Sequence, residues 1–201
     1  MKQKVEDVET LKEKLFAQKK KLVIGMFIFL GIAVLIAGFY IYNIKQESDA
    51  KELEYEAYKA LFQKKFSQAG DLFAKAYEKK KKIIYLLNAG YSYSLAEDQR
   101  KAIEYLNKVA NSDDESFSNL AKFKVAMIYL KNNEKQQAIK TLKEIVNSRS
   151  TVMKDVALFE LAKIDNKEEA KKYYEEIINK FPSSELIGIA KEELQKLQSN
   201  N

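Results

Sequence analysis

Between Leu22 and Ile44 the chain reads LVIGMFIFLGIAVLIAGFYIYNI, 23 residues without a charged side chain. At about 1.5 Å rise per residue, a helix of this length covers roughly 34 Å, more than the ~30 Å hydrocarbon core of a bilayer. In lipid the backbone has to satisfy its own N–H and C=O groups, so the run is predicted to be one helix. It divides the chain into a basic arm (1–21), a span (22–44) and a charge-rich domain (45–201).

The flanking charges give the span a direction. Within about 18 residues on the N-terminal side lie Lys4, Lys12, Lys14, Lys19, Lys20 and Lys21, against Lys45, Lys51 and Lys59 on the other side. The excess predicts a cytoplasmic N-terminus and an exported domain, in the periplasm of a two-membrane cell. The arm places Val5, Val8, Leu11 and Leu15 at helical spacing, with acids early and lysines late. It reads as an amphipathic helix at the membrane surface or as a docking helix for another membrane protein. The apolar run is longer than a signal-peptide core, and its small-residue site Gly31-x-Ala33 lies inside it. An uncleaved anchor is therefore expected.

Of the net charge of +6, the arm supplies three and residues 45–201 the other three. Such a small excess, without a reading motif, predicts no nucleic-acid partner. The run Lys79-Lys80-Lys81-Lys82 reads as a solvated helix end or as a contact for a partner or an anionic surface. The chain has no Cys, His or Trp. Disulfides, thiolate or imidazole zinc sites and His-activated nucleophiles are thereby excluded. No carboxylate pair sits in an apolar setting and no Gly-rich phosphate loop follows a strand. The chain is expected to be no enzyme and to carry no cofactor or metal.

Residues 45–201 repeat. The triplets Ala69-Phe73-Ala76, Ala102-Leu106-Val109, Ala138-Leu142-Ile145 and Ala170-Tyr174-Ile177 recur at Ala-to-Ala steps of 33, 36 and 32. A period near 34 is the mark of stacked helical hairpins. Twelve residues before each Ala stand Ala57, Gly90, Ala126 and Leu158; nine before stand Ala60, Tyr93, Tyr129 and Leu161. A small residue with an aromatic one three further on lets helices approach and interlock. The pattern resembles the tetratricopeptide repeat, most clearly in Leu86, Ala89, Gly90 and Tyr93 followed by Ala102. Asn133-x-x-Gln136, Ser112-x-x-Glu115 and Asn166-x-x-Glu169 read as capping boxes. Asp113-Asp114-Glu115 reads as an inter-hairpin turn and cap rather than a calcium loop. Ser183-Ser184-Glu185 opens a last helix with Leu186, Ile189, Ala190, Leu194 and Leu197 on one face. The expected fold is all-α: a single-pass transmembrane helix, then a tetratricopeptide-like α-solenoid of about four helical hairpins and a C-terminal capping helix.

Eleven residues before each key Ala stand Tyr58, Tyr91, Met127 and Phe159. In tetratricopeptide-like stacks that position faces the concave groove. Leu61, Leu87, Phe123 and Leu130 fall at neighbouring groove-facing positions. Either a tightly coiled stack buries this column as core, or it lines an open groove that holds apolar peptide, since aromatics and Met dominate such contacts.

The order of arm, membrane helix ending in Phe39-Tyr40-x-Tyr42, a polar segment with Ala50, Ala57-Tyr58 and then repeats is similar to the YfgM-like ancillary subunits of the bacterial Sec translocon. Ser112-Asp113-Asp114-Glu115 with Leu120, Ala121, Val125 and Ala126, and Gln137-Ala138-x-x-Thr141-Leu142, resemble their central repeat. The resemblance implies a protein of the cell inner membrane that works with Sec translocon subunits and periplasmic chaperones on exported polypeptides. It implies no catalytic residues. The alternative is a cell-envelope scaffold joining cell-wall or division proteins through the same repeats.

Overall fold

A computed structural model of the protein describes the backbone of residues 2–199 and the side chains of residues 18–199. The predicted amphipathic face of Val5, Val8, Leu11 and Leu15 lies outside the described side chains. All regular structure among the described residues is helical: α1 (Lys2–Phe62), α2 (Phe66–Lys79), α3 (Ile83–Leu95), α4 (Gln99–Ala110), α5 (Glu115–Lys131), α6 (Lys135–Val146), α7 (Lys154–Ile164), α8 (Lys167–Lys180) and α9 (Ile187–Ser199). The chain divides into two compact units, residues 1–48 and 49–201.

In the first unit the apolar stretch of α1 is exposed on every side, from Leu22 through Phe29 and Leu35 to Ile44. Gly25, Gly31 and Gly38 have open space beside them. A helix apolar all round needs an apolar medium around it, and by length and composition this one can cross a membrane.

In the second unit the end of α1 pairs with α2, and α3 with α4, α5 with α6 and α7 with α8; α9 packs against α8. All twelve residues of the repeated triplets are buried, as are Ala57, Gly90, Ala126 and Leu158. The period near 34 is thus the spacing of core positions on successive hairpins. The Gly90/Tyr93 pair turns out to face two different helices. A Cβ added to Gly90 would stand 2.6 Å from Leu106 Cγ on α4. Tyr93 instead lies against Gly70 of α2, where an added Cβ would be 2.9 Å from its ring. Its hydroxyl donates to Asp71 at 2.6 Å, and its ring stacks on Tyr105 at 5.4 Å. Burial, with the Asp71 carboxylate beside it, pushes the Tyr93 phenol well above its ordinary pKa. Tyr93 therefore ties the second hairpin to the first.

The first three hairpins turn on a left-handed, non-glycine residue: Lys64 (φ 59°), Glu97 (φ 61°) and Asn133 (φ 60°). In each, the next N–H reaches back five residues to a carbonyl, as in Lys65 to Ala60 (2.8 Å), Asp98 to Tyr93 (3.0 Å) and Glu134 to Tyr129 (2.8 Å). With the shorter bonds Lys64–Leu61, Glu97–Ser94 and Asn133–Leu130, these are Schellman turns built without glycine. Since Cβ makes this conformation costly, Lys64→Gly is expected to stabilise the domain by about 0.5–1 kcal/mol, net of glycine's extra chain entropy. Denaturant unfolding checks this; unchanged stability would show that the turn holds no strain. Glu97→Gly should gain less, because Glu97 pairs with Lys131 at 2.9 Å.

This turn chemistry corrects two of the three expected capping boxes. Asn133 ends α5 as the left-handed residue and does not cap α6, whose first position is preceded by Glu134. Asp114 rather than Ser112 caps α5, accepting from the Ser116 and Phe117 N–H groups at 3.0 and 3.1 Å. Asn166 does cap α8, accepting from Glu169 N–H at 3.1 Å. The fourth hairpin turns through an extended Asp165 and has no left-handed residue there. The last helix starts later than Ser183–Glu185 suggests, because the Ser184 hydroxyl donates to Asp155 at 2.6 Å and accepts from Leu186 N–H. Ile189 is exposed, and Ile187 packs in its place beside Leu186, Leu194 and Leu197 around buried Ala190. Lys79 closes α2 and pairs with Asp49 at 3.3 Å, while Lys81 covers the Tyr77 ring.

Candidate protein-binding cleft

The predicted column divides. Tyr58 and Tyr91 keep 49% and 41% of their surface exposed, and Met127 and Phe159 are half-buried. The column is therefore not closed into the core. Tyr58 meets Phe73 edge-on at 5.1 Å, and its hydroxyl accepts from Asn88 at 3.1 Å. Phe159 meets Tyr174 at 6.0 Å and lies under Lys163. Phe159 is engaged within its own hairpin, whereas Tyr58 is engaged by Phe73 of its own hairpin and by Asn88 of the next. Leu87 is buried among the core residues, a correction to its expected place in the groove. Leu61 packs at the core's edge, and Leu130 is half-buried.

Tyr91, Phe123 and Met127 do come together. They line a cleft of about 380 Å³ between α3 and α5. Leu120, Ile128 and Met153 complete its apolar lining, with Ser94, Lys124 and Lys131 as its polar members. The helices place these groups by simple spacing. Leu120, Phe123, Lys124, Met127, Ile128 and Lys131 recur at three and four residues, one face of α5. Tyr91 and Ser94 are three apart on α3. α5 has 17 residues, against 13 in α3 and 11 in α7, so it supplies the longest wall.

Met153 arrives by another route. It precedes α7 in a left-handed conformation (φ 65°), at the end of the loop after α6. α5 pins that loop. The Asn119 amide, almost fully buried, donates to Ser148 Oγ at 2.7 Å and to the Val152 carbonyl at 3.0 Å. Glu115 accepts from the Arg149 and Ser150 N–H groups, both at 2.9 Å, and from Arg149 Nε at 2.8 Å. The Arg149 side chain and these backbone donors hold the Glu115 carboxyl below its ordinary range. One face of α5 thus lines the cleft while its first turns fix the loop that brings Met153 to it.

Two lysines set the charge. Lys131 is matched by Glu97 across 2.9 Å. The Lys124 ammonium lies 4.3 Å from the centroid of the Tyr91 ring and has no carboxylate partner among the described residues. Burial pushes its pKa down. Sequence reasoning missed Lys124, although its spacing of three from Met127 puts it on the same face.

The arrangement has apolar walls, half-exposed aromatic and thioether groups, and a cation. It can hold an apolar segment; among the described residues no group of three or more acids stands ready for a metal. The family model of the tetratricopeptide repeat-like domain matches residues 14–199. No curated protein matches the chain.

Proposed function

Since the chain belongs to the tetratricopeptide repeat-like family, whose modules hold protein partners without bond chemistry, we propose that it is a membrane-anchored protein-binding module working beside the Sec translocon. Its partners are translocon subunits, periplasmic chaperones and newly exported polypeptides, which it holds while they mature. The observation that carries the binding reading is the cleft of Tyr91, Phe123 and Met127, an opening between α3 and α5 with mainly apolar walls. Aromatic and Met side chains contribute disproportionately to such contacts. The span-length helix α1 supports an anchor in the cytoplasmic membrane, and the lysine excess before it supports a cytoplasmic N-terminus and an exported repeat domain. The Sec assignment draws on the likeness of arm, span and central repeat to the YfgM-like subunits.

Crosslinking of the full chain in its native membrane, followed by identification of the captured proteins, tests this reading. Translocon subunits and chaperones are the expected catch. Recovery of wall-synthesis proteins without any translocon component would overturn the Sec assignment.

A further inference from the structure

We propose that Lys124 gives the cleft a charge preference, so that it selects apolar segments carrying one carboxylate side chain. The inference rests on the cleft being the site at which the domain holds its partner, and it adds what that partner must look like.

The cleft contains two cations in different circumstances. Lys131 has its counter-ion in Glu97 and is exposed. Lys124 is half-buried, and the face of Tyr91 stands where a counter-ion would otherwise be. An aromatic face attracts a cation, but less strongly than a carboxylate does at a site partly withdrawn from water. The rest of the cleft lining is mainly apolar, Leu120, Phe123, Met127, Ile128 and Met153, with Ser94 and Lys131 as its other polar members.

Consider what enters. A wholly apolar segment seated on Phe123, Met127 and Met153 would strip more water from Lys124 and leave its charge unmatched, which is costly. A segment with a basic side chain would add repulsion to that cost. A segment with a single acidic side chain among apolar neighbours fits both parts of the cleft, its carboxylate meeting Lys124 as the apolar groups cover the rings. Selection then has an attractive and a repulsive component, the combination by which specific sites discriminate. The direction in which burial moves the Lys124 pKa agrees with a charge that lacks compensation in the empty cleft.

The test uses the full chain in phosphatidylcholine nanodiscs. The probes are short peptides of leucine, phenylalanine and glycine with a central glutamate, glutamine or lysine and a neutral dye. Anisotropy is read at low salt, with binding to empty nanodiscs subtracted. The glutamate peptide is expected to bind about tenfold more tightly than the glutamine peptide, and the lysine peptide most weakly. Lys124→Met should bring the glutamate peptide to the level of the glutamine peptide, while Lys124→Arg, which keeps the charge, should retain the preference. Thermal unfolding of both variants confirms that the domain is intact. Equal binding of the glutamate and glutamine peptides to the unaltered chain, or a preference that survives Lys124→Met, overturns the proposal and leaves the cleft reading standing. Failure of every peptide to bind overturns the cleft reading with it.

Discussion

Gly90→Ala is expected to destabilise the repeat domain by about 2 kcal/mol, although alanine is the better helix former by about 1 kcal/mol. The reason is the crossing of α3 and α4. A Cβ at position 90 would stand 2.6 Å from Leu106 Cγ, 2.9 Å from Leu106 Cδ2 and 3.1 Å from the Leu106 backbone nitrogen. Rotating the leucine side chain moves two of these atoms and leaves the third, so the helices themselves have to separate. Leu106 is fully buried, and Leu106→Ala alone should cost about 3 kcal/mol through lost burial and the cavity left behind. Together the two changes are expected to be less harmful than their sum by about 1–2 kcal/mol, because the new methyl group occupies part of the space the leucine vacates. Urea unfolding of the four proteins in detergent, followed by far-ultraviolet circular dichroism, completes the cycle. Strict additivity would mean that the approach at Gly90 does not limit the packing of this hairpin.

Tyr91→Ala and Phe123→Ala should each weaken binding of the glutamate-centred apolar peptide by about 30-fold, the effect of losing roughly 2 kcal/mol at a central aromatic contact. Stability should change far less at Tyr91, which keeps 41% of its surface exposed and whose ring face carries the Lys124 ammonium 4.3 Å from its centroid. Ile189→Ala provides the comparison: that side chain is 47% exposed on α9, away from the cleft lining, and its loss should leave affinity unchanged. The decisive pairing is affinity against melting temperature. If Tyr91→Ala unfolds the domain while any surviving folded fraction binds normally, Tyr91 is a core residue and not a contact.

The hairpin stack was legible because its signal is local and periodic. Each triplet such as Ala102-Leu106-Val109 is one face of one helix, and burying that face is what makes the helix part of the stack. The turns were less legible. Asn133 is favoured both as an N-cap and as a left-handed C-terminal residue, and a Gln three residues on does not separate the two roles. Lys64 and Glu97 occupy the same left-handed position, where neither residue type announces it.

The cleft was half legible for a related reason. Spacing identified the groove-facing column, but spacing says nothing of what each side chain meets across the fold. Tyr58 finds Phe73 and Phe159 finds Tyr174, so those rings are occupied. Tyr91 and Met127 flank the place where Met153 is delivered by a loop that Asn119 and Glu115 hold from about 30 residues away in sequence. A lysine on a helix is ordinarily solvated, so its residue type does not mark Lys124 as part of a site. Its half-burial over Tyr91 exists only once α3 and α5 lie side by side.

We propose that protein segments are held in the α3–α5 cleft. The most direct test places a photoreactive phenylalanine analogue at Met127, in the full chain in its native membrane, with Lys140 on the exposed side of α6 as the comparison site. Crosslinks to other polypeptides from position 127, competed by the glutamate-centred peptide and absent from position 140, are the predicted result. Equal crosslinking from both positions, or crosslinking from 140 alone, would contradict it.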